Sequence, residues 1–196
     1  MHDHARQTKK CKLVTRMRKL ENDELNRPGA DEYQEVAKIP VRVVLDNIRS
    51  SHNVGSVFRT SDALLVEKIY LCGITSTPPD KEIRKTALGA ENTVAWEYSE
   101  STLDAVAALK AKGYTLIAVE QVEDSVSLCD YLPTENAKLA LIFGNEVKGV
   151  QQEVVDQCDF ALEIPQYGTK HSFNISVSAG IVLWDLFSKI RVPKMN

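Results

Sequence analysis

Short apolar runs alternate with longer amphipathic segments over most of this chain. VRVVLDN (41–47), Lys68–Cys72, Thr93–Trp96, TLIAVE (115–120), LALIFG (139–144) and Phe160–Ile164 are too short for core helices, and most are rich in β-branched residues. They predict strands, the strongest of them buried on both faces. Helical patterns fall between them over 53–65, 81–88, 102–111, 150–157 and 172–190. Ser101 is the expected N-cap of the third and Ser172 of the last, and Gly113 closes the third. Thr77-Pro78-Pro79-Asp80 reads as a loop. Buried strands alternating with helices predict an α/β fold, a parallel sheet flanked by helices. Before Pro40 the pattern changes: a charged helix is expected over 8–25, a break at Arg27-Pro28-Gly29, and a short helix over 31–38. Residues 1–40 therefore read as a basic, helical extension and 41–196 as the main domain.

Composition narrows the function classes. The chain has 196 residues, 43% apolar and 26% charged, enough for one full core. No apolar run approaches the ~20 residues needed to cross a bilayer, and the N-terminus has no secretory signal, so a soluble cytoplasmic protein without a membrane partner is expected. Cys11, Cys72, Cys129 and Cys158 are scattered, with no metal-site spacing, so no metal is expected. The net charge is −3, yet residues 1–19 carry seven Lys or Arg against Asp3. That arm either docks on phosphates or is a solvated tail.

In parallel sheets, ligands bind beyond the carboxyl ends of the strands. Three of these ends are unusual. NIRSSHNVGSVFRTSDA (47–63) opens a helix at Asn53 and Gly55 with Arg59 on its body. Taken alone, Arg59 reads as a surface ion pair. LIFGNEVKGV (141–150) ends a strand in a tight glycine-flanked loop. Its Glu146 is either a helix N-terminal acid or a group aimed into the crevice. EIPQYGTKHSFNISVSAG (163–180) leads through a loop, with His171 as a loop imidazole, into a helix with small residues at 178–180. Neither G-x-G-x-x-G nor a Walker sequence is present, which argues against a nicotinamide-dependent oxidoreductase.

Taken in order, HNVGSVFRTSDA, FGNEVKG and IPQYGTKHSFNISVSAG resemble the three motifs of the SPOUT methyltransferases, in their SpoU/TrmH branch. The resemblance covers about 41 to 190. It implies a C-terminal trefoil knot, S-adenosyl-L-methionine as cofactor, a homodimer with sites at the subunit interface, and methylation of a ribose 2′-hydroxyl of RNA. By motif, Asn53, Arg59, Glu146, Ser172 and Asn174 match the family's catalytic set. Arg59 resembles the arginine that handles the ribose hydroxyl and its adjacent phosphate. Glu120, Gly144, Ile164 and Phe173 fall where cofactor contacts are expected. Val147 departs from the glycine common at its position. A basic extension of intermediate length, and similarity of 113–128 to guanosine-type members, favour tRNA and a D-loop guanosine. The alternatives are a ribosomal-RNA 2′-O-methyltransferase or a catalytically silent RNA-binding relative.

Overall fold

The computed structural model describes residues 17–191. Seven parallel strands form one sheet: β1 (Ile39–Asp46), β2 (Val66–Cys72), β3 (Trp96–Ser99), β4 (Thr115–Val119), β5 (Val126–Ser127), β6 (Leu139–Phe143) and β7 (Phe160–Glu163). Their spatial order is β3-β2-β1-β6-β4-β7-β5. α1 (Ala30–Glu35) precedes β1, between the strands lie α2 (Ser51–Ala63), α3 (Lys81–Ala87), α4 (Ala90–Thr93), α5 (Thr102–Ala111) and α6 (Gln152–Val155), and α7 (Ile175–Arg191) follows β7. The chain first builds outward from β1 through β2 to β3. It then fills the other side of β1, with β6 inserted against β1 and β7 against β4. The change of direction falls between β1 and β6, where open α/β sheets hold ligands.

Alternation along the strands explains the two helical layers. Val43 and Leu45 on β1, with Leu141 and Phe143 on β6, join Val54, Val57 and Phe58 of α2 and Ala179, Val182 and Leu183 of α7. Val44, Ala140 and Ile142 point the opposite way, onto Ala105, Val106 and Leu109 of α5 and Val154 of α6. A one-residue slip would exchange these sets, so the register is strongly specified. Gly55 brings α3 onto α2: a Cβ there would lie 2.1 Å from Thr86 Oγ1 and 2.3 Å from the Ile83 carbonyl oxygen.

Several expectations change. Of the helix predicted over 8–25, residues 8–16 lie outside the described part. Within 17–25 there is only a 3₁₀ turn at Asn22–Leu25, ended by Asn26 at a φ of 46°. Its charges leave no apolar stripe to bury, and short isolated helices are marginal in water. The predicted strand at 93–96 is replaced by the turn of α4 and then β3, because the Thr93 hydroxyl donates to Asp62 Oδ1 at 2.6 Å and anchors the turn on α2. The two-residue β5 was not foreseen. Ser101 caps α5 through the Asp104 N–H. Ser172 does not cap α7: Asn174 Oδ1 accepts from the Ser176 N–H at 2.9 Å, and the helix starts at Ile175. Residues 30–38 pack against α2 and α4, with Tyr33 buried, its hydroxyl donating to the Asp62 carbonyl, and Gln34 donating to the Thr93 carbonyl.

Candidate functional site

The site is organised by the loop 144–151 that follows β6. Asn145 and Gly149 pair through both backbone hydrogen bonds, and Asn145 Oδ1 accepts from the N–H groups of Val147 and Lys148. Gly144 is required by this loop itself. A Cβ there would sit 2.0 Å from the Val150 nitrogen. Three carboxylates then fix the loop to its surroundings.

Glu120, at the end of β4, accepts the Val150 N–H at 3.0 Å. Asp46, at the end of β1 and fully buried, accepts the Gln151 N–H at 3.0 Å and its Nε2 at 2.7 Å. It also takes the Thr102 hydroxyl at 2.6 Å and Asn47 Nδ2 at 2.9 Å. Glu146 reaches out from the loop to the start of α2, accepting the N–H groups of Arg49 at 3.0 Å and Ser50 at 3.1 Å and Asn53 Nδ2 at 3.1 Å. Partial burial alone would raise the Glu146 pKa. Hydrogen bonds, led by the Arg49 N–H, outweigh it and hold the carboxyl below the ordinary carboxylate range. A carboxylate at a helix N-terminus is also favoured by the helix dipole.

Beyond β4, β6 and β7 lies a cavity of about 520 Å³, within the ~300–1,000 Å³ of small-molecule sites. Its walls are Val119, Phe143, Leu162, Ile164 and Ile175, and its polar rim includes Glu120, Glu146, Gln166 and Asn174. Gln121 Nε2 donates to the His171 carbonyl at 3.0 Å, tying the loops after β4 and β7 together across its mouth. Apolar walls with carboxylates at the rim suit a ligand that combines an aromatic base, hydroxyls and a positive charge.

The structure brings Glu120, Gly144, Glu146, Ile164, Ser172, Phe173 and Asn174 to this cavity. Asn53 joins through its bond to Glu146. Arg59 stays outside. It lies exposed on the outer stripe of α2 and is not among the lining residues. Sequence reasoning missed Asp46, whose signal was a lone acid closing the apolar run VRVVLD, and also Asn145, Gln121 and Gln151. Among the described residues no group of three His, Cys, Asp or Glu side chains could hold a metal, and no helix is long and apolar enough to cross a membrane.

Comparison with known proteins agrees with this geometry. The SpoU rRNA Methylase family model matches residues 40–184; the chain belongs to this family. The 23S rRNA (guanosine-2'-O-)-methyltransferase RlmB of Neisseria meningitidis is 31% identical over 153 residues, 78% of this chain and 60% of that protein. The chain thus spans about 60% of the length of the curated relatives it matches. Among solved structures, the A. aeolicus TrmH/SpoU tRNA modifying enzyme superposes with a TM-score of 0.72 at 26% identity, covering 82% of this chain and 81% of that one. An AdoMet-bound rRNA methyltransferase from Sinorhizobium meliloti gives 0.71 at 25% identity, covering 79% and 59%.

Proposed function

We propose that this protein transfers a methyl group from S-adenosylmethionine to a ribose 2′-hydroxyl of RNA. The observation that carries the reading is the cavity beyond β4, β6 and β7, which the second and third sequence motifs line and to which Glu146 ties the first through Asn53. The cofactor would be held by the loops around Glu120, Gly144, Ile164 and Phe173, and supplies an electrophilic methyl on a sulfonium. The chain's own residues supply position and charge. Positioning bound reactants is worth up to ~7–11 kcal/mol.

Arg59 presents a planar fork of N–H donors and no acceptor. Its role is to stabilise the developing alkoxide and not to take the proton. Glu146 is spent on three N–H donors and held ionised, so it acts as the clamp that fixes Asn53 and the start of α2. Ser172 and Asn174 border the same cavity and orient the ribose.

Arg59 reaches the reacting atoms across an interface between two copies of the chain. The outer face of α7 supports such a homodimer: Val177 is 48% and Trp184 61% exposed, with Ile181 between them. Exposed apolar stripes of this kind mark protein contacts. Insertion of β7 between β4 and β5, followed by the return of α7 to α2, supports a trefoil knot at the C-terminal end. Residues 1–40 are an extension on the methyltransferase domain 41–196.

The proposed target is tRNA, at a D-loop guanosine. Likeness to the A. aeolicus tRNA modifying enzyme over four-fifths of both chains supports tRNA. The similarity to an enzyme named for guanosine in 23S rRNA favours ribosomal RNA as the second reading. Transfer of labelled methyl from S-adenosylmethionine to unmodified bulk tRNA and, in parallel, ribosomal RNA tests both. A 2′-O-methylguanosine from tRNA is expected. Incorporation only into ribosomal RNA would overturn the target, and incorporation into neither would overturn the activity.

A further inference from the structure

Next to the cavity is an open notch of about 240 Å³ lined by Arg49, Ser50 and Glu146, so the two depressions share Glu146. The notch faces the start of α2, and α3 is fastened there. His52 Nε2 lies 2.8 Å from Glu82 of α3, the Thr86 hydroxyl donates to the His52 carbonyl at 2.9 Å, and Gly55 admits Ile83 and Thr86 against α2. Ser51 and Ser76 join α2 to the loop before α3 at 2.8 Å. The outer face of α3 is therefore held rigidly beside the notch. It carries Lys81, Arg84 and Lys85, all exposed.

The acids of this neighbourhood are already engaged. Asp80 caps α3 through the N–H groups of Glu82 and Ile83. Glu82 takes Lys85 and His52, and Glu146 takes the start of α2. Lys81, Arg84, Arg49 and Arg59 have no side-chain hydrogen bond or ion pair among the described residues. Arg59 lies on the same outward stripe of α2 as His52 and Ser56, one face of the helix at i, i+4 and i+7. Local positive charge on a chain whose residues beyond 19 are net acidic marks a surface for a polyanion.

We propose that Lys81 and Arg84 of α3, with Arg49 across the notch, seat the RNA phosphates that flank the target nucleotide. The strand then runs along α3 and presents one ribose at the notch. This rests on the RNA methyltransferase reading above, and it names the face of the domain that reads the substrate. Contacts of this kind set register without base information, so they serve any sequence that fits the shape.

The test is RNA affinity of the Lys81→Gln/Arg84→Gln double variant against Lys110→Gln/Lys112→Gln at the C-terminal end of α5, an equal charge change on the opposite face. Binding to unmodified tRNA and ribosomal RNA is measured over a salt series, with S-adenosylhomocysteine binding and Tm as controls for folding. Loss of two phosphate contacts makes the slope of log K against log salt shallower by about 1.4, and weakens affinity roughly 10- to 30-fold at 0.1 M salt. Methylation at subsaturating RNA falls in step with affinity, so the effect is read in KM. If wild type methylates RNA and the α3 pair changes slope no more than the α5 pair, this surface is wrong and the activity stands. Wild type that binds S-adenosylhomocysteine but methylates neither RNA overturns both.

Discussion

Replacing Asp46 tests whether the carboxylate at the end of β1 organises the site. Its side chain is fully buried and takes four donors: the Thr102 hydroxyl, Gln151 Nε2, Asn47 Nδ2 and the Gln151 N–H. Hydrogen bonds to a charged group are each worth ~1.5–3 kcal/mol, but those sharing one acceptor do not add. Thr102 is itself buried, and its hydroxyl would be left in a small cavity without an acceptor. Breaking a buried charged network by removing one member costs ~3–5 kcal/mol. Asp46→Ala is therefore expected to lower stability by about that amount. At ~2–4 °C per kcal/mol for a chain of this size, Tm falls by roughly 6–20 °C. Asp46→Asn keeps the shape but turns an amide NH₂ toward donors, so it recovers less than half of the loss. Gln151 directly follows Val150, which Glu120 holds, so S-adenosylhomocysteine affinity also falls, by about fivefold or ~1 kcal/mol. Thermal unfolding and calorimetric titration read both effects, and Thr102→Val added to Asp46→Ala should cost little more. A wild-type Tm for Asp46→Asn, or full additivity of the pair, would refute the network.

Glu146→Gln lowers Tm at neutral pH. Because the Glu146 carboxyl is held below its ordinary value of 4.5, its stabilisation is complete above that pH and is lost as pH falls through the depressed value. The gap between wild type and variant should close below about pH 4.5, and a constant gap down to pH 3.5 would contradict the clamp. Gly55→Ala forces α3 off α2 and costs about 1–3 kcal/mol, read as a lower Tm. Arg59→Ala leaves Tm and S-adenosylhomocysteine binding unchanged but slows single-turnover methylation by at least ~10²-fold, the scale for losing a donor to a developing oxyanion. Trp184→Glu buries a charge in the proposed interface, so light scattering should report a monomer with little activity.

The layered fold was legible because buried parallel strands are continuous apolar runs, and LALIF and TLIAV on β6 and β4 leave no other reading. What escaped notice was decided by tertiary contacts. Four-residue α4 exists because Thr93 finds Asp62, and two-residue β5 because β7 offers it an edge. Neither has enough residues to leave a periodic trace. The site divides in the same way. Residue types and their order could be read along the chain, whereas the bond from Asn53 to Glu146 spans 93 positions and depends on β6 lying beside β1.

One feature of the site was within reach of helix geometry alone. Asn53 and Arg59 are six residues apart on α2, so at ~100° per residue they project about 120° from each other. If Asn53 turns toward Glu146, Arg59 cannot enter the same cavity from the same helix. The exposed position of Arg59 is thus a consequence of the motif's own spacing. For both residues to act on one ribose, the nucleotide must be gripped between the notch and a second surface. Under the proposed function, that requirement ties catalysis by Arg59 to association of two chains, and dilution into the monomer range should abolish methylation while S-adenosylhomocysteine still binds. Full activity in a verified monomer would return Arg59 to the ordinary role of a surface cation.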